Sequence, residues 1–550
     1  MAQADEQAVV LLRRMTRLQE QRSTWEEHWQ ELADYMRPRK ADIVKKTLTP
    51  GKKRTELQFD GTAGRAAELL SSSLHGMLTN MSTKWFSLAF RDAELAGDDE
   101  AREWLLSAED TMYQAFHRSN FQEQIQELYD DLVVFGTGVM MVEADDENNF
   151  RFSTRHIAEI FVAEDMKGRV DTVYRKFRMS ARAAIEQFGE ENTSDRIKAV
   201  EARDPYEQVE IVHVVMPRSD RDPGKLNAGN KPYASYYIDP DEQVILSESG
   251  YDEFVFLVPR WLKNSTELGF GRSPGMTALA DTKVLNRMSE VNLRAAQKST
   301  DPPLMVPDDG FLLPIRVVPG GLNFYRSGTR DRLEPLNVGT NAPVAFNYEE
   351  QRRQAVRSAF YVDHLQLAQG PQMTATEVLQ RTEQSMRMLG PVLGRLQAEL
   401  LQPLINRCWA IMSRQQALPV PPDFMQAGDI EIEYVSPLAR AQRKGDAQSL
   451  VQLMEFMQPL MSIDPALVAF LDMDGMAKHL IKTLAIPATV VRGDEEILER
   501  RDERAAQQQQ QAEAAEAMQA AQAAGKAAPA MKVLNEMDAG AELPPEANVA

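Results

Sequence analysis

The pattern closest to catalysis in this chain is Gly271-Arg-Ser273-Pro-Gly275, the Gly-x-Ser-x-Gly spacing of a nucleophile elbow. Such an elbow needs the backbone N–H of the residue after the serine to hold an oxyanion, and Pro274 has none to give. The same residues spell a helix start, with Ser273 as cap and Pro274 in the first turn, and that is the better reading. Metal chemistry fares no better. The seven histidines (His28, His75, His117, His156, His213, His364, His479) form no His-x-x-x-His pair. Glu210 and His213 fall on an expected strand, where positions three apart face opposite ways. Asp472-Met-Asp474-Gly opens like a calcium loop but lacks the later ligands. Asp98-Asp99, Asp145-Asp146 and Asp308-Asp309 read as turns. Carboxylates converging from distant elements, as in a two-metal nuclease, stay open at this stage.

Phosphate loops are missing as well: Gly51-Lys52, Gly224-Lys225 and Gly525-Lys526 lack the following hydroxyl and the upstream glycine. Gly136-Thr-Gly138 precedes a strand and reads as a turn. The lone Cys408, among Leu404, Ile405, Trp409 and Ile411, reads as a core thiol, which leaves no intrachain disulfide and no zinc site built from several thiolates. The expectation is a non-enzyme with no catalytic residue, no metal and no cofactor.

Charge points to a partner class. The 550 residues carry 62 Lys and Arg against 82 Asp and Glu, a net −20. An acidic surface makes a poor trap for phosphate and a good conduit for it. The exception is 37–54, where Arg37, Arg39, Lys40, Lys45, Lys46, Lys52, Lys53 and Arg54 face only Asp42. It is either a solvated loop or a basic arm contacting nucleic acid or an acidic neighbour. Residues 1–30 lack the apolar core of a secretory signal, and no run reaches the roughly 20 apolar residues of a membrane span. A soluble protein is expected.

The elements that must position these residues follow from periodicity. Helices are expected at 6–36, closed by Pro38, at 61–81, and at 99–135 with a break near Arg118–Asn120. Strands are expected at 139–143, 150–155, 172–178, 208–216, 234–239, 243–247 and 253–258, with a helix at 180–188 capped by Ser180. Residues 1–265 thus form an α+β body. A rod starting at Ser273-Pro274 should present Met276, Leu279, Ala280, Val284, Met288, Val291 and Ala295 on one face. Its opposite face carries Asp281, Asn286, Arg287, Glu290, Arg294 and Gln297, and Asp301-Pro-Pro ends it. Residues 300–346, broken by seven prolines and five glycines, form a strand-and-turn module too small to hold a core alone. Helix resumes near Tyr348 and runs to Ala368; another, opened by a Thr374–Glu377 capping box, kinks at Gly390-Pro391 and Pro403 on its way to Arg414. A strand is expected at 430–434, helices at 437–461, 464–471 and 474–484, and an Ala/Gln-rich tract beyond 501.

The order of certain motifs resembles the portal, or head-to-tail connector, proteins of short-tailed, T7-like bacteriophages. The motifs are Trp25–Pro38, Phe59-Asp-Gly-Thr-Ala-Gly-Arg-Ala-Ala with Leu78-Thr-Asn and Trp85-Phe, Phe135-Gly-Thr-Gly, Gly269-Phe-Gly-Arg-Ser-Pro-Gly with Leu285-Asn286, and Met373-Thr-Ala-Thr-Glu-Val with Arg381. The resemblance implies an α+β, mainly helical portal-type subunit. It would have an antiparallel β wing (1–270), stem helices (271–299 and 347–370, the latter leading into a tunnel loop), a small β clip (300–346), a long kinked helix (371–415), a helical crown (416–500) and a C-terminal helix or tail (501–550). It also implies a homo-oligomeric ring, usually of twelve, at one capsid vertex of the virion, assembled in the host cytoplasm. Its partners would be the terminase large subunit, the major capsid protein and scaffold, the tail adaptor and double-stranded DNA in the channel, with no membrane. On that footing Arg287, Arg294, Arg352, Arg353, Arg357, Gln366, Gln369 and Gln372 are channel candidates. Asp308, Asp309, Arg316, Arg326, Arg330 and Arg332 are candidates for clip docking. A helical scaffold or tail component without a channel is the structural alternative, and a metal-dependent nuclease the enzymatic one.

Overall fold

The computed structural model describes, apart from short gaps, residues 5–44, 51–90, 98–305, 342–365, 388–422 and 432–434, with isolated pieces at 324, 334–335 and between 450 and 510. They fall into two compact units: residues 1–96 with 104–441, and 97–103 with 442–550. In the second, short helical pieces such as 453–457 and 475–477 are described.

Helix α1 (Glu6–Met36) opens at Asp5, whose side chain accepts from the N–H of Gln7. Its first half, through Ala8, Leu11 and Met15, lies on one face of a five-stranded antiparallel sheet, against Phe161, Tyr174, Val212, Val214 and Tyr236. That sheet runs β4 (Ile160–Glu164), β5 (Val170–Ser180), β6 (Gln208–Pro217), β7 (Tyr233–Asp239), β8 (Val244–Tyr251), each strand paired with the next. Helices α5 (Ala181–Phe188) and α6 (Asp195–Arg203) cover other apolar residues of the sheet with Phe188 and Ile197, on Val209, Ile211 and Leu246. Alternation along β6 thus feeds two cores from one strand.

A second core gathers α2 (Thr62–Leu78), α3 (Asp99–Arg118) and α4 (Phe121–Phe135) with a three-stranded sheet of β2 (Met140–Asp145), β3 (Asn149–Thr154) and β9 (Phe256–Leu257). Trp85, Phe86, Tyr113, Phe116, Phe121, Phe150 and Phe152 stack here in offset and edge-on pairs, which favours one rigid arrangement. Helices α7 (Pro274–Thr300) and α8 (Ala342–Ala359) form an antiparallel hairpin beside α2, and a single turn, α9 (Val362–Leu365), follows. Helix then covers residues 388–396, widens to a π segment at Gln397–Leu401 and returns to α in α10 (Gln402–Arg414). Pro403 explains the widening, because it has no N–H for the carbonyl of Glu399. The expected kink at Pro403 takes this form.

The α+β class, the break between α3 and α4, and the Ser180 and Ser273 caps are all present. Several expectations need correction. Helix α8 begins at Ala342 and not near Tyr348; Pro343, read as a breaker, is tolerated in the first turn. The helix expected to reach Ala368 stops at Ala359, where Tyr361 takes a left-handed conformation (φ 59°). Strand β4 and helix α6 were unforeseen, as was β1 (Leu88–Phe90). It pairs with β12 (Ile432–Tyr434), a partner more than 300 residues away. Of the module at 300–346, β10 (Leu304–Met305) pairs with β11 (Glu334–Pro335); the other apolar runs expected there, and the Thr374–Glu377 box, lie essentially outside the described residues.

Most of the apolar face expected for α7 turns outward, although Leu279 of that set is buried and Met276 half-buried. Ala280, Val284 and Val291 are exposed, while Gly275, Ala278, Leu279, Thr282, Leu285 and Asn286 are buried. This helix carries two apolar stripes, and periodicity alone favoured the wrong one as the core face.

Candidate functional site

Two features set how the α7–α8 hairpin stands on the body. The first joins two glycine motifs. Gly136 caps α4 in the left-handed region (φ 82°), and a Cβ there would lie 2.3 Å from the carbonyl oxygen of Gly271. Its carbonyl accepts from Trp261, Gly138 donates to the carbonyl of Pro259, and the Thr137 hydroxyl accepts from Gly271 N–H at 2.9 Å. Ser273 then uses its hydroxyl twice: it donates to the carbonyl of Val134 (2.7 Å) and accepts from Met276 N–H (2.9 Å), capping α7. The end of α4 and the start of α7 thus meet in close backbone contact, fastened by the hydroxyls of Thr137 and Ser273. Phe270 continues the joint into α1, meeting Trp29 edge-on at 4.9 Å. Beside it Arg260, 1% exposed, pairs with Glu164 from β4 and with Glu399 from the π segment, and donates to the carbonyl of Gly168. The Gly-x-Ser-x-Gly match is therefore an anchor with a buried, doubly bonded serine.

The second feature is polar. Asn286 of α7 accepts from Phe59 N–H (2.7 Å) and Asp60 N–H (3.2 Å) and donates to the carbonyl of Leu57 (2.7 Å), so one side chain grips one short backbone segment. Asp60 accepts from Thr62 N–H at the start of α2 and from Arg353 of α8 at 3.1 Å. Burial opposes its charge, but the bonds from Thr62 and Arg353 outweigh it and hold the carboxyl below its usual range. Glu349, also buried, accepts from Ser289 and Asn292, each at 2.7 Å, and pairs with Arg353. This network ties α2, α7 and α8 together through paired groups, and such networks fix one arrangement.

A bacteriophage head-to-tail connecting protein family model matches residues 9–491. The portal protein of Salmonella phage epsilon15 is 32% identical over 508 residues, 91% of each chain. The probable portal protein of Bordetella phage BPP-1 is 33% identical over 512 residues, again 91% of each. The chain belongs to the family of bacteriophage head-to-tail connecting, or portal, proteins. Both glycine motifs of the anchor and Asn286 of the network lie within the matched span.

In this portal-family chain, each of the five channel-candidate arginines has a carboxylate partner within the chain. Arg287 and Arg294 both meet Glu290 at 2.6 Å, and Arg352 meets Asp281 at 2.8 Å. Arg353 pairs with Asp60 and Glu349, and Arg357 lies 3.5 Å from Glu350. Gln366, Gln369 and Gln372, and the clip residues Asp308, Asp309, Arg316, Arg326, Arg330 and Arg332, lie outside the described residues. So do Lys45, Lys46, Lys52 and Lys53 of the basic stretch.

The described part of that stretch is engaged. Arg37 pairs with Asp130, Lys40 with Asp131 (2.6 Å) and Glu127 (3.1 Å), and Arg54 with Asp42; Arg39 is exposed and lends its carbonyl to Arg54. Burial pushes the Asp131 carboxyl up to about 7 despite Lys40. Burial, then Lys40, pushes His156 down to about 4, and its ring meets the carbonyl of Lys40. His213, buried on β6 near Arg175 and Arg155, is held near 3 by burial. Cys408 is buried, and burial pushes its thiol well above the usual range. Among the described residues no group of three or more His, Cys, Asp or Glu could hold a metal, and no helix is long and apolar enough to cross a membrane. Sequence reasoning gave no role to Glu349 or Arg260 and placed Asn286 on the polar face of α7, where the structure buries it.

Proposed function

We propose that this chain is one subunit of a ring channel at a capsid vertex, through which double-stranded DNA passes during packaging and ejection. The family match over residues 9–491 carries the reading. The relatives from epsilon15 and BPP-1 bear the names portal and probable portal protein, and both align along nine-tenths of their length. The role is structural: ATP hydrolysis belongs to a separate motor. Residues 1–270 serve as the wing, α7 and α8 as the stem, and 300–346 as the clip, the docking site for the terminase during filling and the tail adaptor afterwards. Capsid and scaffold proteins surround the ring.

Charge supports a conduit. Twelve copies of a −20 chain carry about −240, which repels a DNA wall-to-wall contact. The paired stem arginines offer weak points of contact and no trap, since each already faces a carboxylate. The test is deletion of 300–346: the variant should keep the wing fold and lose binding to terminase and tail adaptor. Unimpaired packaging and tail attachment by that variant would overturn the clip assignment.

A further inference from the structure

The residues that follow α1, 37–44, form a strap held from three sides. Arg37 bonds to both carboxylate oxygens of Asp130, and Lys40 meets Asp131 at 2.6 Å and Glu127 at 3.1 Å, all on α4. Gln30, back on α1, donates to the carbonyl of Ala41 (2.9 Å) and accepts from Val44 N–H (3.0 Å). The third hold is His156, between β3 and β4, whose Nε2 lies 3.1 Å from the carbonyl of Lys40. Under these bonds Ala41 and Ile43 are buried.

The histidine hold works in one protonation state only. Nδ1 accepts from Ala158 N–H at 3.1 Å, capping the single turn Ile157–Glu159, and so needs its lone pair free. The one proton of the imidazole is therefore on Nε2, where it donates to Lys40. A second proton could go only to Nδ1, where it would face the Ala158 N–H. To keep that proton the imidazole must turn, and turning breaks its bond to the strap.

We propose that His156 is a proton-operated clasp on this strap: neutral, it holds residues 38–44 in place; protonated, it releases them and uncovers Ala41 and Ile43. The surroundings set the direction. Burial, in part by Phe135 edge-on at 5.9 Å, and then Lys40 oppose a charge on the imidazole. Asp42 of the strap and Glu127 of α4 favour one, and the balance keeps His156 neutral down to about 4. Asp131 takes its proton first, near 7. Below that pH Lys40 keeps Glu127 as its charged partner, so a charge arriving on His156 stands near a less balanced ammonium. His156 holds its second proton more weakly in the fold than at its ordinary 6.5. The clasp is therefore fully effective above about 6.5 and is lost as pH falls toward 4.

The test is hydrogen exchange on the full-length protein, read by mass spectrometry across this pH window and corrected for intrinsic exchange. Wild type is compared with H156Q, whose amide keeps a donor at the end of the side chain and does not titrate. Protection of the Ala41 and Val44 amides should fall more steeply in wild type than in H156Q, by about tenfold for each pH unit below about 6.5. Parallel profiles in the two proteins overturn the clasp. If H156Q does not fold, H156N serves in its place. Its side-chain oxygen still caps Ala158 but is too short to reach Lys40, so the strap should exchange at neutral pH as fast as wild type does near the acid end. A strap as well protected in H156N as in wild type at neutral pH also overturns the proposal.

Discussion

The glycine anchor and the α7–α8 hairpin use opposite means to hold α7. At the anchor, two backbones approach so closely that no side chain fits: Gly136, Gly271 and Gly275 each meet carbonyl oxygens at distances a Cβ would not tolerate. Along the hairpin, long side chains do the holding, through Asn286, Glu349 and Arg353. The anchor is complete within one chain. The hairpin is complete on its inner side and bare on its outer one, where Val284 and Val291 are about half exposed. The difference is between a joint closed within the chain and a helix face the described residues leave uncovered.

The sharpest way to break this comparison is G136A. The substitution meets backbone at 2.3 Å and a left-handed φ, so about 3 kcal/mol or more of stability should go, read as a fall in thermal midpoint or as insoluble protein. Unchanged stability would show that the anchor can yield. N286A should cost less, about 1–3 kcal/mol, because it strands Leu57, Phe59 and Asp60 backbone groups that lose their partner. Amide exchange at Phe59 and Asp60 should accelerate while the strands of the five-stranded sheet keep their protection.

Beside the anchor, in α4, Asp131 adds a pH dependence. Its carboxyl lies near 7 in the fold against about 3.9 in an unfolded chain, so the folded state holds the proton more tightly. Its contribution to stability is therefore full below pH ~4 and is lost as pH rises through ~7, with a slope on the order of 1 kcal/mol per pH unit. D131N should flatten that slope in denaturation curves taken across this window. The smallest effect belongs to V284S on the outer face of α7, within about 0.5 kcal/mol by denaturation, since Val284 is already about half exposed.

The parts legible in the sequence are those with local causes. Ser273-Pro274 announces a helix start because a cap and a proline act on the next few residues. Ser180 does the same for α5, and Cys408 sits among apolar neighbours four residues either side. The parts that were illegible depend on distant partners. Nothing in 37–54 tells that Arg37 and Lys40 will meet Asp130 and Asp131, about 90 residues on. Strand β1 needs β12 to exist at all. The inner face of α7 was misassigned because both its faces are apolar, and the residue that decides the matter, Asn286, looked like a surface polar group. That ambiguity has a physical source: apolar residues on two sides of a helix leave periodicity with no single face to choose.

The most direct test of the account is imaging of the purified full-length chain by negative-stain microscopy at micromolar concentration, with native mass measurement alongside. The account predicts closed rings with a central channel. Monomers alone in every preparation would contradict it.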